Sequence, residues 1–113
     1  MTFSPNILEI DLSCIEHNLS QVKKLVAPNV RIVGIVKSDA YGHGLIQVSR
    51  LLEKNDVPFL GVAHFREAME LREKGIKIPI IVMCGIRNGE EAIEVVEKDL
   101  AAVVFDIESA ECF

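Results

Sequence analysis

Residues 31–44 read Arg-Ile-Val-Gly-Ile-Val-Lys-Ser-Asp-Ala-Tyr-Gly-His-Gly, and this stretch decides the fold. Its first part, residues 32–36, is a nearly continuous apolar run rich in β-branched side chains, which is typical of a strand buried on both faces in a parallel sheet. Lys37 follows this run directly, and a polar loop is predicted at residues 38–44. Because α/β folds place chemistry at the carboxyl ends of parallel strands, Lys37 is predicted to stand at a functional edge.

Outward from this stretch, apolar strands alternate with amphipathic helices. Further buried strands are predicted at residues 59–63, 80–84 and 101–105. Helices are predicted to begin near residues 13, 45, 65, 88 and 106. Strands that alternate with helices through right-handed crossovers form a parallel sheet, either an open doubly wound sheet or part of a barrel. A complete (β/α)₈ TIM-type barrel needs about 250 residues, so the pattern favours the first half of such a barrel, with about four β/α units after a short strand and a helix.

Polar residues mark the expected helix ends. Ser13 and Glu16 have the spacing of a capping box, which predicts that the first helix begins there. Gly75 is predicted as the residue that closes the third helix. Asn88 and Asp106 are predicted N-caps of the last two helices, because their side-chain oxygens can accept hydrogen bonds from the first free N–H groups.

Composition narrows the class of protein. The chain has 113 residues, half of them apolar, and a net charge of −5. It has no block of Lys or Arg, which argues against a nucleic-acid partner. The first residues lack the pattern of a signal peptide, and no apolar run approaches the roughly 18 residues of a membrane span. Three widely spaced cysteines (Cys14, Cys84 and Cys112) argue against a disulfide framework, so a reducing cytoplasm is expected.

Lys37 is the first candidate for chemistry. Apolar walls at a barrel mouth could desolvate a lysine and favour its neutral amine, which attacks a carbonyl to form a Schiff base. The alternative is a surface lysine whose stem covers the strand end, and spacing alone favours this alternative. Tyr41 could donate its hydroxyl to an anion such as phosphate, or could be a half-buried aromatic with a solvated tip. Gly42 and Gly44 would let the backbone approach a ligand, or simply make a tight turn.

Other polar residues near strand ends offer weaker alternatives. His43 and His64, with Asp39 nearby, could form a metal site, but their spacing matches no known ligand pattern, so no metal site is predicted. Cys84 could be a thiol nucleophile. No cue in the sequence suggests an activating partner for that thiol, so Cys84 is predicted to be a small buried apolar residue.

Residues 36–44, Val-Lys-Ser-Asp-Ala-Tyr-Gly-His-Gly, closely resemble the pyridoxal-phosphate attachment motif of alanine racemases. Residues 9–12 and the helix that contains residues 17–19 resemble the opening of the same family, and the later strands fit it in order and spacing. The resemblance implies that Lys37 holds pyridoxal 5'-phosphate as a Schiff base and serves as the base on one face of the α-carbon. It also implies that Tyr41 hydrogen-bonds the cofactor phosphate.

The resemblance further implies a homodimeric isomerase that interconverts L- and D-alanine and supplies D-alanine for peptidoglycan. Family members join an N-terminal (β/α)₈ barrel to a C-terminal β domain. Residues 1–12 are then expected to form a strand that pairs with that β domain. Residues 13–113 are expected to form the N-terminal half of the cofactor-binding barrel.

Several residues that the family uses in catalysis and cofactor binding fall outside this sequence. The opposite-face base, a tyrosine of the partner subunit's C-terminal domain, falls outside it, as do the arginine facing the pyridine nitrogen and later phosphate-binding loops. Ser38 also stands where many members have alanine. We therefore expect a partial sequence that is inactive in isolation and leaves two barrel edges unpaired. A racemase of broader amino-acid specificity and a non-catalytic protein that binds pyridoxal phosphate remain alternatives.

Overall fold

A computed structural model describes residues 5–113, in which strands and helices alternate along the chain. The strands are β1 (Val33–Ile35), β2 (Phe59–Val62), β3 (Ile80–Val82) and β4 (Leu100–Ala102). The helical segments are α1 (Leu12–Leu25), α2 (Lys37–Tyr41), α3 (Leu45–Lys54), α4 (Phe65–Glu73), α5 (Gly89–Glu97) and α6 (Ile107–Glu111). No helix in this described part of the chain is long and apolar enough to cross a membrane.

The strands form one parallel sheet in the order β1-β2-β3-β4, so the predicted parallel sheet is confirmed. Each strand pairs with the next strand in the sequence, as Leu60 with Ile80 and Val82 with Ala102 illustrate. Consecutive neighbours are the order expected of successive β/α units in a barrel wall. All four carboxyl ends therefore lie at the same edge of the sheet.

The two faces of the sheet have different surroundings. On one face Leu60, Val62, Ile80 and Val82 are completely buried in a core to which α3 and α4 also contribute. On the other face, by contrast, Ile35 remains 38% exposed. Alternate residues of a strand point to opposite faces, so the helices cover one side of the sheet and leave the other open.

The N-terminal segment differs from the prediction. Within the strand predicted at residues 1–12, the described residues 5–11 form no strand, and α1 begins at Leu12 rather than at a Ser13 cap. Asp11 is the N-cap instead, because its carboxylate accepts hydrogen bonds from both the backbone N–H of Ser13 (2.8 Å) and the Ser13 hydroxyl (2.6 Å). Glu16, predicted to close a capping box, accepts from the side-chain amide of Asn55 at 2.9 Å.

The missing strand has a simple physical reason. A strand needs a neighbour to satisfy its backbone hydrogen bonds, and none pairs with residues 7–11 in the described part of the chain. Residues 1–4 of the predicted strand lie outside the described residues. That residues 1–12 pair with a C-terminal β domain stays a prediction, as does the boundary that assigns residues 13–113 to the barrel.

Most of the predicted helix ends are confirmed. Asn88 accepts a hydrogen bond from the backbone N–H of Glu91 at 3.0 Å, and Asp106 accepts one from Ser109 at 2.7 Å. Gly75 follows α4 with a φ of 83°, a left-handed conformation that glycine adopts without steric cost. The third and fourth strands are shorter than predicted, although the N–H of Val103 still bonds to β3.

Candidate active site

The residues after the carboxyl ends of the strands form the candidate site. Lys37 comes two residues after β1, beyond Val36, which is fully buried and donates its N–H to the Gly61 carbonyl at 2.9 Å. Ala63 and His64 follow β2 at the same edge. The backbone next to Lys37 is therefore fixed to the sheet through Val36, while the Lys37 side chain stays partly exposed.

The predicted loop at residues 38–44 begins as a single left-handed turn. Ser38, Asp39, Ala40 and Tyr41 all have positive φ, between 50° and 56°. This conformation costs L-residues about 1–2 kcal/mol each, so it persists only where surrounding contacts favour it. The sequence gives no sign of it, because four consecutive non-glycine residues are not a left-handed pattern.

Hydrogen bonds within the loop stabilise the turn. Ala40 is buried and donates its N–H to the Val36 carbonyl at 2.9 Å. The Asp39 carbonyl accepts from the N–H of Gly44 at 2.9 Å. The Asp39 carboxylate accepts from the N–H of Leu45 at 2.8 Å and so satisfies the first turn of α3. The turn and α3 are thereby joined into one unit.

The turn brings Lys37 and Tyr41 together. The Lys37 Nζ lies 6.0 Å from the centroid of the Tyr41 ring, and the Tyr41 side chain is 61% exposed. Among residues 5–113, neither the Lys37 amine nor the Tyr41 hydroxyl has a hydrogen-bond or ion-pair partner. A primary amine and a phenol hydroxyl thus remain available to one ligand, the amine as a nucleophile and the hydroxyl as a donor.

Glu67, in the first turn of α4, links the left-handed turn after Lys37 to the end of β2. The sequence alone did not identify it as a site residue. One carboxylate oxygen, Oε1, accepts from the N–H of Ser38 at 2.7 Å. The other, Oε2, accepts from the N–H groups of Ala63 and His64, both at 2.9 Å. A glutamate three residues after a helix N-cap can accept a hydrogen bond from the backbone of that cap. This local pattern could have predicted the bond from His64. Nothing local predicts the bond to Ser38.

The weaker candidates are not brought together. The His43 ring Nδ1 lies 3.0 Å from the Ala40 carbonyl, within its own loop. His64 precedes α4, and Asp39 caps α3 as described. Within the described residues, no group of three or more His, Cys, Asp or Glu side chains could hold a metal ion. The alternative of a metal site therefore has no support in this geometry.

Cys84 is exposed, so the prediction of a buried apolar residue is wrong. It lies two residues beyond β3, where its N–H still bonds to the Ala63 carbonyl at 2.9 Å. Cys84 lines an open cleft together with His64 and Glu67 at the start of α4.

Comparison with protein families matches residues 10–113 to the family described as "Alanine racemase, N-terminal domain". Alanine racemase 1 of Caldanaerobacter subterraneus subsp. tengcongensis is 44% identical over 106 residues, which cover 94% of this chain and 27% of that protein. Alanine racemase of Syntrophobacter fumaroxidans is 43% identical over 103 residues, which cover 91% of this chain and 27% of that protein. The chain thus spans about a quarter of the length of these curated relatives.

Solved structures agree in fold. An alanine racemase of Clostridium difficile 630 superposes with a TM-score of 0.85 at 36% identity, covering 91% of this chain and 28% of that one. The alanine racemase of Bacillus anthracis with bound L-Ala-P superposes with a TM-score of 0.83 at 32% identity, covering 90% of this chain and 26% of that one. With its parallel sheet of four successive β/α units, the chain matches the N-terminal half of the barrel in these structures. The prediction of half a (β/α)₈ barrel is confirmed.

Proposed function

The chain belongs to the alanine racemase family, and on this premise we propose that the polypeptide carrying it is an alanine racemase that uses pyridoxal 5'-phosphate. It would interconvert L- and D-alanine and supply D-alanine for peptidoglycan in the cytoplasm. We propose a homodimer in which Lys37 and Tyr41 belong to the cofactor site. Activity, substrate and partners are proposed for the complete natural polypeptide, because the chain spans 27% of such a relative.

The observation that supports this proposal best is the juxtaposition of the unpartnered Lys37 amine and Tyr41 hydroxyl. Pyridoxal phosphate carries an aldehyde, which a free amine attacks, and a phosphate, which a phenol hydroxyl can bind. Both protein groups lie in one turn at the carboxyl edge of the sheet, with 6.0 Å between the amine and the ring centroid. The residues present therefore fit the cofactor.

Each residue would have a distinct task. Lys37 Nζ would attach to the aldehyde carbon with loss of water, and the Tyr41 hydroxyl would donate to the phosphate. When bound, pyridoxal phosphate supplies an electron sink for the electron pair left by loss of the substrate α-proton. The Lys37 amine, freed when the amino acid binds, would take that proton on its own face of the α-carbon. Return of a proton on the opposite face needs a second group, which the family assigns to a tyrosine of the partner subunit.

Cofactor trapping tests the proposal. The complete polypeptide is incubated with pyridoxal phosphate, reduced with borohydride and digested, and the modified lysine is identified by mass spectrometry. We expect the label on Lys37 and a loss of that label in Lys37→Arg. Lys54→Arg is the matched control, because Lys54 is an exposed residue at the end of α3, away from the strand edge. Labelling spread evenly over the lysines would contradict the proposal.

Substrate assays then separate the alternatives. An alanine racemase is expected to exchange the α-proton of alanine for solvent deuterium and to have its highest kcat/KM with alanine. Equal kcat/KM across several amino acids would favour the broader-specificity racemase. Cofactor attachment without any deuterium exchange would favour a non-catalytic protein that binds the cofactor.

A further inference from the structure

The left-handed turn after Lys37 requires an explanation. Ser38 to Tyr41 lie in a region of backbone space that L-residues avoid. The hydrogen bonds already described within the loop stabilise the later part of the turn, from Ala40 to Leu45. None of these bonds uses the N–H of Ser38, which belongs to the peptide group that links Lys37 to Ser38. The acceptor for that N–H comes from outside the loop.

Glu67 makes that contact. Its Oε1 accepts from the N–H of Ser38 at 2.7 Å, across 29 positions of the chain. Among the described residues, no other side chain from outside the loop hydrogen-bonds to the backbone of residues 37–41. A bond between a carboxylate and an N–H group is stronger than one between neutral partners. This bond is therefore well suited to anchor the start of the turn.

The carboxylate of Glu67 is itself oriented by its other contacts. Oε2 accepts from the N–H groups of Ala63 and His64, both at 2.9 Å. Glu67 also lies in the first turn of α4, where the helix dipole favours a negative charge. Because Oε2 is held by the N–H groups at the end of β2, Oε1 points at Ser38. The carboxylate thereby links the left-handed turn to the sheet.

We propose that Glu67 is a positioning residue for Lys37. By fixing the Lys37–Ser38 peptide group, its carboxylate sets the direction in which the Lys37 side chain leaves the backbone. Because the same peptide group starts the turn that carries Tyr41, Glu67 also sets where the Tyr41 hydroxyl lies relative to the Lys37 amine. This inference rests on the proposed function, in which those two groups hold pyridoxal phosphate.

Two substitutions separate positioning from general stability. In Glu67→Gln, a single amide oxygen and an NH₂ group face three N–H donors, so at least one donor loses its acceptor. In Glu67→Asp the charge stays, but the side chain is one methylene shorter and cannot span both strand ends. Glu70→Gln is the matched control, because Glu70 is an exposed glutamate one turn on in the same helix and has no side-chain hydrogen bond to any described residue.

Three measurements on the complete natural polypeptide decide the matter. The first is the hydrogen-exchange rate of the Ser38 N–H, which we expect to rise about tenfold in both Glu67 variants. The second is the ratio of Lys37 to Lys54 labelling by pyridoxal phosphate and borohydride, which we expect to fall about tenfold, as one lost charge-assisted hydrogen bond allows. The third is the pH profile of the visible imine absorbance, which a purely structural role would leave unchanged.

The outcomes are distinct. Faster Ser38 exchange, lower Lys37 selectivity and a shifted imine profile, with a urea midpoint close to that of Glu70→Gln, would support the positioning role. Unchanged labelling and an unchanged profile would overturn it, and so would unfolding of both Glu67 variants where Glu70→Gln stays folded. A Ser38 N–H that exchanges freely in the unsubstituted protein would also overturn it. If that protein fails to label Lys37, the proposed function fails instead, and Ser38 exchange alone then decides whether Glu67 orients the turn.

Discussion

The amine of Lys37 lies 6.0 Å from the centre of the Tyr41 ring. Lys37 directly precedes the left-handed turn, and Tyr41 is the last residue of that turn. A distance of 6.0 Å is at the outer limit of a cation–π contact, so the ring lies beside the Lys37 side chain without enclosing it. The amine stays partly exposed and the phenol hydroxyl free of protein partners in the described residues. A ligand that carries both an electrophilic carbon and an anionic group can therefore engage both residues.

Removing the Tyr41 hydroxyl should weaken cofactor binding. Tyr41→Phe keeps the ring beside Lys37 and deletes the donor to the phosphate. One hydrogen bond to a charged group is worth about 1.5–3 kcal/mol, so we expect the Kd for pyridoxal phosphate to rise at least about tenfold. Titration of the cofactor, followed by its visible absorbance, measures this change.

The same variant provides its own control for stability. Because the Tyr41 side chain is 61% exposed, its hydroxyl contributes nothing to the core, and the urea midpoint should not change. An unchanged Kd would exclude the Tyr41 hydroxyl from phosphate binding while leaving the role of Lys37 untouched.

Arg72 should be a determinant of stability away from the candidate site. Its guanidinium donates to four backbone carbonyls at 2.8–2.9 Å, those of Ile76, Ile78, Lys98 and Asp99. Arg72→Ala leaves these carbonyls without their donor and should lower the free energy of unfolding by about 3 kcal/mol. Urea unfolding of the complete polypeptide measures the change.

Two variants test why Arg72 matters. Arg72→Lys should recover only a small part of the lost stability, because an ammonium cannot match the fixed fork of a guanidinium. Burial lowers the pKa of the Arg72 guanidinium, although the negative charges of Asp99 and Glu53 act to raise it. Arg66→Ala is the control from the same helix, since Arg66 is exposed and makes no side-chain hydrogen bond within residues 5–113. Equal effects of Arg72→Ala and Arg66→Ala would contradict this account.

Glu91 should make stability sensitive to acid. Burial by itself raises the pKa of its carboxyl, but hydrogen bonds from the Arg87 side chain (2.7 Å from Nε) and backbone (2.8 Å) outweigh burial and lower the pKa below its ordinary value of 4.5. A carboxyl with a lowered folded-state pKa stabilises the protein fully above its unfolded-state pKa. That stabilisation is lost as the pH falls through the folded-state value.

Glu91→Gln tests this dependence. At about pH 7 the variant should have the lower urea midpoint, and the difference from the unsubstituted protein should shrink as the pH falls below about 4. Glu90→Gln is the control, because Glu90 is an exposed neighbour in the same helix. A difference that stays constant between these pH values would reject the role of the Glu91 charge.

Gly34 should not tolerate a side chain. A Cβ atom at this position would lie 2.6 Å from Cδ1 of Leu52 and 3.3 Å from Cδ2 of Leu60. Leu52 is only 8% exposed and belongs to the core, so it can yield only by disturbing its neighbours. We expect Gly34→Ala to lower the free energy of unfolding by about 1–3 kcal/mol.

Gly89→Ala is the matched control for this substitution. Gly89 lies in the first turn of α5, where a Cβ atom would have no neighbour within 4 Å in the described part of the chain. Because alanine is the better helix former, we expect no loss and a gain of up to about 1 kcal/mol. A Gly34→Ala protein as stable as Gly89→Ala would show that Leu52 moves aside at no cost.

Much of the architecture could be predicted because it is written in short-range patterns. The apolar runs that became β1 to β4 and the caps Asn88 and Asp106 depend on residues within a few positions of one another. The cap at Asp11 was missed because Ser13 and Glu16 also have the spacing of a helix cap. In the structure the Asp11 carboxylate accepts two hydrogen bonds from Ser13, so Asp11 is the cap. Cys84 was misjudged because the exposure of a residue just past a strand end depends on which distant parts of the chain lie beside it.

The sequence by itself determined the order of strands and helices and the motif that carries Lys37 and Tyr41, since periodicity and capping act over three or four residues. Only the tertiary structure decided how that motif is held. The left-handed turn at Ser38–Tyr41 opposes local preference, and the carboxylate that meets its first N–H comes from Glu67, 29 residues away. Arg72 likewise bonds to carbonyls of Lys98 and Asp99 that only the packed chain brings near. Such contacts depend on where the backbone returns in space, which no local pattern specifies.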